Sequence, residues 1–268
     1  MKYPVLIPNI FDHPFTYESS LKLKTGEYVD VPFGRKTITG VVWDQFEKNA
    51  NKKFEIKSVK KKLNIEPLKQ KTVDFLNWFS EYNLVPLGMT LKLHLLSGKA
   101  IEKQKNIEYQ KYQIQINKEQ FYLSDEQEQA LKELVKHDNS FRVHLLQGTT
   151  GSGKTIVYFK AIEKIIHQGK QSLILLPEIG LTGEFEKKFK KFFGFEAAIW
   201  HSKITPKKKK VIWSGLTSGE IKVVIGARSA LFLPFKKIGI IVVDEEHDQS
   251  FKQDEGVTYN ARDMAIAR

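Results

Sequence analysis

Apolar residues change their period partway along the chain. Over residues 1–60 they fall in short runs that read as strands: Tyr3-Pro4-Val5-Leu6-Ile7-Pro8, Glu27-Tyr28-Val29-Asp30-Val31 and residues 37–43. Gly26 and Phe33-Gly34-Arg35-Lys36 punctuate them as turns, and Gly34 is free to take a positive φ. A helical period sets in over residues 68–82, where Val73, Leu76, Trp78 and Phe79 form one stripe. Residues 84–96 are apolar without deciding between helix and strand. Many short strands with one helix predict a small barrel or sandwich. From residue 97 to about 122 the chain turns polar, Lys, Gln and Asn predominate and no period is visible. That stretch predicts a linker.

Beyond it Ser124-Asp125-Glu126-Gln127 opens a helix, with Ser124 as N-cap and Gln127 at the third position of a capping box. Ala130, Leu131, Leu134 and Val135 continue it. Val143, Leu145 and Leu146 form a short apolar strand, followed by a glycine-rich loop and a helix over 156–166 with Val157, Ala161, Ile162 and Ile165 on one face. Strands at 172–176, 197–200, 223–225 and 238–243 then alternate with helices at 181–193 and 206–218. Strands alternating with helices, and near-continuous apolar strands, predict a parallel sheet covered on both faces. The expected class is α/β: a small N-terminal β-barrel-like domain over 1–98, a linker over 99–122 and a lobe over 123–268 with a mainly parallel sheet.

Candidate chemistry is concentrated in that lobe. Gly148-Thr149-Thr150-Gly151-Ser152-Gly153-Lys154-Thr155 satisfies the phosphate-loop pattern G-x-x-x-x-G-K-[ST] between a strand and a helix. Its glycines let backbone N–H groups cradle phosphate oxygens at a helix N-terminus. Lys154 would reach the β- and γ-phosphates, and the Thr155 hydroxyl would hold Mg²⁺. Ile240-Ile241-Val242-Val243-Asp244-Glu245-Glu246-His247 places carboxylates at the C-terminal end of a buried strand, where open α/β sheets bind ligands. Asp244 would anchor Mg²⁺ and Glu245 would orient or deprotonate an attacking water.

Composition narrows the partners. The 268 residues hold 43 Lys+Arg against 31 Asp+Glu, a net charge of +12, which suits a polyanion, nucleic acid before membrane. Most of the excess is lysine, and the runs Lys187-Lys188-Phe189-Lys190-Lys191 and Lys207-Lys208-Lys209-Lys210 read as solvated helix faces before DNA contacts. There is no cysteine, hence no disulfide and no cysteine-ligated zinc in these residues. No run has the apolar length of a membrane span and the N-terminus lacks a signal-peptide core. The expectation is a cytoplasmic protein without a membrane partner.

Taken together, these words resemble the superfamily 2 helicases and, within them, the PriA family of bacterial primosomal helicases. The resemblance is carried by residues 146–155, Leu175-Leu176-Pro177-Glu178-Ile179-Gly180-Leu181-Thr182, Gly226-Ala227-Arg228-Ser229-Ala230-Leu231-Phe232, Asp244-Glu245-Glu246-His247-Asp248 and Tyr259-Asn260-Ala261-Arg262-Asp263. Ile10-Phe11-Asp12 and Val31-Pro32-Phe33-Gly34-Arg35 look like that family's DNA 3′-end-binding domain. The resemblance implies a RecA-like lobe in which Gln127 reads adenine, Glu178 and Arg228 lie along single-stranded DNA, and His247 couples nucleotide to DNA contacts. It implies a 3′-terminal-nucleotide pocket at Phe11, Asp12, Gly34 and Lys57, where the aromatic ring can stack, the carboxylate can accept from a ribose hydroxyl and the lysine can meet a phosphate.

The same resemblance implies an ATP-dependent 3′-to-5′ DNA helicase of replication restart, using ATP and Mg²⁺ on forked, single-stranded and 3′-ended DNA. Primosome and single-strand-binding proteins would be its partners. Three departures temper this. The span before Gln127 is too short for a winged-helix domain, and Ala227 and His13 replace an expected Thr and Tyr. The sequence ends at Arg268, inside the first lobe on this reading. A second lobe, its arginine (worth ~10³–10⁵ in turnover) and a zinc region belong to longer members. The isolated chain is therefore expected to bind ATP, hydrolyse it poorly and not unwind DNA. The alternative is a non-catalytic fork-binding module.

Overall fold

The computed structural model describes residues 1–45, 56–96, 100, 102, 109–112, 121–136, 140–177, 180 and 182–268. Strands β1 (Lys2–Leu6), β2 (Phe15–Glu18), β3 (Tyr28–Phe33), β4 (Lys36–Val42) and β5 (Lys61–Lys62) form an antiparallel sheet in the order β2-β1-β4-β3-β5. Its two edges meet. Glu18 N–H donates to the Lys57 carbonyl at 3.0 Å and Val59 N–H to the Glu18 carbonyl at 2.8 Å. The segment leading into β5 thus joins β2 and gives the barrel-like closure that the strand pattern predicts, satisfying edge groups that would otherwise be exposed. The Gly34 turn between β3 and β4 takes φ 57°.

Helices α1 (Gln70–Tyr82) and α2 (Leu87–His94) follow. Val73, Leu76 and Phe79 bury one face of α1, as their spacing predicts; Trp78 stays partly exposed. The ambiguous apolar stretch resolves as α2. Pro86 sits at its N-cap and has no side-chain oxygen to offer. Asp12, 75 residues upstream, accepts from Leu87 N–H at 2.9 Å instead. Gly88 is required where α2 meets β1, because a Cβ there would lie 2.4 Å from Asn9 Oδ1 and 2.8 Å from the Ile7 carbonyl.

Helices α3 (Asp125–Leu134) and α4 (Lys154–His167) flank the glycine-rich loop. Strand β6 (Gln171–Leu175), helix α5 (Gly183–Phe193), strand β7 (Ala198–Trp200), helix α6 (Pro206–Ser218), and strands β8 (Val223–Gly226) and β9 (Ile238–Val243) complete the expected alternation. All pairings are parallel, in the order β7-β8-β6-β9. A short hairpin of β10 (Lys252–Gln253) and β11 (Tyr259–Asn260) leads into α7 (Ala261–Ala267). Local signals set these ends: Ser124 makes the full capping box with Gln127, and Thr182 and Thr205 cap α5 and α6. Pro206 opens α6, and Gly194 and Gly219 end α5 and α6 in the left-handed region.

One expected strand is not formed. Residues 141–149 make no ladder, and Phe141, Val143 and Leu145 are exposed. Only Leu146 is drawn in, against Leu131, Val157 and Ala161 between α3 and α4. Local apolar pattern favours a strand, but a strand exists only where a neighbour supplies its hydrogen bonds. Here β9 pairs with β6 alone, and its residues are half-buried where two-sided burial was expected. Much of the predicted linker lies outside the described residues; within it, Tyr109 and Tyr112 are buried and Glu102 pairs with Lys61 at 2.8 Å.

A continuous apolar cluster runs from the β-rich part into the lobe, including Tyr28, Leu76, Phe79, Leu91, Trp213, Phe232 and Tyr259. His94 is its polar hinge-pin. Nδ1 lies 2.8 Å from the Phe232 carbonyl and Nε2 2.7 Å from the Tyr28 hydroxyl. A carbonyl only accepts, so Nδ1 carries the proton and Nε2 accepts from the phenol. Burial, reinforced by the Arg268 charge and opposed by the Phe232 carbonyl bond, holds the His94 pKa down to about 4. The unfolded chain binds this proton near pH 6.5 and the folded chain does not. This contribution is complete above pH 6.5 and is lost as pH falls toward 4. Between pH 7.5 and 5 the protein is expected to lose about 2 kcal/mol more than His94→Gln in denaturant titrations. Parallel pH curves for the two proteins would refute this.

Candidate nucleotide site and DNA-facing surface

Helix α4 starts directly from the loop, Gly153 taking φ 81° at its N-cap. Lys154 turns back on the loop, donating to the carbonyls of Gly148 at 2.6 Å and Thr149 at 3.0 Å. Gln127 clamps the same loop: its Oε1 accepts from Ser124 N–H at 3.0 Å while its Nε2 donates to the Ser152 carbonyl at 2.9 Å. The capping-box glutamine therefore fastens α3 to the phosphate loop. Gly148, Thr149, Thr150, Gly151 and Ser152 are exposed.

Asp244 arrives from the sheet. Its N–H donates to the Leu175 carbonyl at 3.0 Å, which sets the ends of β6 and β9 side by side. Its Oδ1 accepts from Glu245 N–H at 3.1 Å and its Oδ2 from the Tyr158 hydroxyl at 2.8 Å. Thr155, the other candidate Mg²⁺ ligand, lies three residues before Tyr158 on α4. A hydroxyl and a carboxylate are hard-oxygen donors suited to Mg²⁺, which needs few protein ligands when phosphates and water complete its shell. Among the described residues no group of three or more His, Cys, Asp and Glu could hold a metal. Tyr158 was missed in the sequence, although its place one turn after Thr155 on a helix puts the two on one face.

Glu245 is a non-glycine residue at φ 51°, a strained conformation of the kind stored at functional sites. Its carboxylate lies 3.7 Å from His247 Nε2, both side chains open to solvent. Glu246 pairs with Arg262 at 3.1 Å, fastening the acidic box to α7. Arg228 opens a 3-10 helix over Arg228–Phe232 and donates to the Lys252 carbonyl. Glu178 lies outside the described residues.

On the β-rich part the rings of Phe11, His13, Phe15 and Phe33 form a cluster with centroids 4.9–5.8 Å apart. Phe11 is 43% exposed. Gly34 directly follows Phe33, and Asp12 sits between Phe11 and His13 with Oδ1 on the α2 N-terminus. Lys57 is at the opposite end of β2, bonded through its carbonyl to Glu18, three residues or ~10 Å along the strand. The structure therefore gathers Phe11, Asp12 and Gly34 more closely than Lys57. Both lysine runs face solvent: Phe189, Phe192 and Phe193 are the buried side of α5, and Lys190 pairs with Glu196 at 3.2 Å.

Residues 4–95 match the family described as 3′DNA-binding domain (3′BD), named for PriA, and residues 120–265 match the family described as type III restriction enzyme, res subunit. Against "Replication restart protein PriA" of Rickettsia conorii the chain is 41% identical over 266 residues, 98% of this chain and 40% of that protein. The chain belongs to the PriA family. The PriA protein of Helicobacter pylori is 37% identical over 260 residues, 94% of this chain and 38% of that protein. The PriA protein of Bacillus subtilis is 39% identical over 184 residues, 67% of this chain and 23% of that protein. The chain spans about 40% of the length of such PriA relatives and matches their N-terminal part. A structure described as RecG bound to three-way DNA junction aligns with 53% of this chain and 20% of its own at 29% identity, with a TM-score of 0.44, too low to carry an argument. PriA membership accounts for the pairing of a β-rich DNA-binding domain with a helicase-type lobe. Among the described residues no helix is long and apolar enough to cross a membrane.

Proposed function

We propose that this chain binds forked DNA by its 3′ end and binds ATP with Mg²⁺, as part of an ATP-dependent 3′-to-5′ helicase of replication restart. The observation that carries it is that Gln127 is bonded to the phosphate loop while Asp244, at the ends of β6 and β9, is bonded to Tyr158 of the helix that the loop opens. On this reading Lys154 leaves the Gly148 and Thr149 carbonyls for the β- and γ-phosphates, exchanging two neutral acceptors for charged ones. The backbone N–H groups from Gly148 to Thr155 cradle the phosphates, and Gln127 offers its amide to adenine. Thr155 and Asp244 hold Mg²⁺, which neutralises charge on the phosphates. Glu245 orients the attacking water and His247, beside it, relays the state of the site toward DNA.

In the β-rich domain Phe11 stacks on the terminal base, Asp12 accepts from the terminal ribose hydroxyl and Gly34 lets backbone approach closely, while Lys57 meets a phosphate farther along. Glu178 and Arg228 line the single strand. Primosome and single-strand-binding proteins are the partners of this activity. A second reading, a non-catalytic fork-binding module, is favoured by the missing strand over residues 141–149 before the phosphate loop and by Lys154 folded onto its own loop. ATP turnover stimulated by forked DNA would count against it.

The test is binding to a fork with a free 3′-OH against the same fork with a 3′-phosphate, across a salt series. A terminus-reading pocket is expected to lose ~10-fold or more with the phosphate at every salt, the cost of one charge-assisted contact. Equal binding that falls steeply with salt would leave only lysine–phosphate attraction and overturn the end-binding assignment.

A further inference from the structure

We propose that Tyr158 is a positioning residue for Mg²⁺, fixing the carboxylate of Asp244 through its phenol hydroxyl. This rests on the nucleotide-site reading above. Tyr158 is three residues after Thr155 on α4, and its ring is buried beside Phe159, with centroids 5.2 Å apart, in the core under the sheet. Its hydroxyl donates to Asp244 Oδ2 at 2.8 Å. Asp244 has Oδ2 held by the phenol and Oδ1 by Glu245 N–H, so the plane of its carboxylate is fixed before any ion arrives.

The direction of this bond is set by its partner: a carboxylate only accepts, so the phenol donates. A tyrosine in a helix core needs a partner for its hydroxyl, and a backbone carbonyl would serve for stability alone. This one places its hydroxyl on a candidate metal ligand instead. Such outer contacts orient metal ligands, and removing one typically costs ~10–100-fold in metal affinity.

The experiment is a titration of a fluorescent ATP analogue against the whole chain at fixed Mg²⁺ concentrations and in EDTA, for the wild type, Tyr158→Phe, Asp244→Asn and the double variant. Phenylalanine keeps the ring that fills the core, and thermal unfolding checks the fold. In Tyr158→Phe the Mg²⁺ concentration giving half the tightening is expected to rise ~10-fold, with metal-free binding unchanged. Combined with Asp244→Asn, the variant is expected to add less than ~2-fold to the shift of Asp244→Asn alone. An unchanged Mg²⁺ midpoint, an equal loss in EDTA, or full additivity with Asp244→Asn would overturn the proposal while leaving the nucleotide site standing. Failure of the site itself has a different signature, unweakened nucleotide binding by Lys154→Ala.

Discussion

Lys154→Ala is expected to weaken ATP binding by ~100-fold, with no change in DNA affinity. An ammonium bonded to phosphate oxygens is a charge-assisted contact of ~1.5–3 kcal/mol, and Lys154 can make more than one. At ~1.4 kcal/mol per decade, two decades of affinity is the expected loss. The variant should fold normally. Among the described residues Lys154 bonds the carbonyls of Gly148 and Thr149, in a loop open to water that can replace it. The aromatic cluster at Phe11 lies on the other part of the chain, so fork binding is expected to be unaffected. Calorimetric titration with ATP and Mg²⁺ alongside fork-binding curves would show it. Parallel losses in both would mean that the lysine contributes general positive charge, and equal ATP affinity would remove the loop from the site.

How much of this was legible depended on how local the cause was. The capping box at Ser124 and Gln127, the Pro206 start and Gly219 end of α6, and the Val73, Leu76 and Phe79 stripe of α1 arise from residues within a turn or two of each other, and the structure has them, Trp78 alone of the expected stripe facing out. The glycine-rich turn that opens α4 and the carboxylates at the end of β9 stand where their sequence patterns put them, because each pattern is local. What failed was decided by neighbours distant in sequence. Residues 143–146 have a strand's pattern and no partner for it. Asp12 can be read as a ligand from its motif, yet its cap on α2 depends on Pro86 being unable to supply one. Tyr158 has a helical spacing that says it can face Thr155, but only the arrival of β9 shows what its hydroxyl is for. A hydrophobic stripe reports burial without naming the surface that covers it, so the joint burial of Tyr28 with Trp213 was out of reach.

That joint core makes Trp213→Ala the substitution with the largest expected effect on stability. Trp213 is fully buried on α6. Its ring meets Tyr28 edge-on at 5.8 Å and His94 at 6.0 Å, both from the β-rich part. Its Nε1 donates to the His94 carbonyl at 3.1 Å, the residue that also joins Tyr28 to Phe232. Alanine here leaves a cavity at the seam and a buried carbonyl without its donor, ~3–5 kcal/mol by the usual cost of large-to-small core changes. For a chain of this size that corresponds to a fall of ~10 °C in Tm. Trp78→Ala is the control: Trp78 is 37% exposed and stacked on Tyr82 at the surface, and truncating it is expected to shift Tm by less than ~3 °C. Because the Trp213 cavity separates two parts that share one core, the variant's unfolding is also expected to broaden or split, with the DNA-binding part and the nucleotide lobe melting as distinct steps. Shifts of equal size for the two variants, with single sharp transitions, would mean that the seam contributes little and that each part is stabilised by its own core.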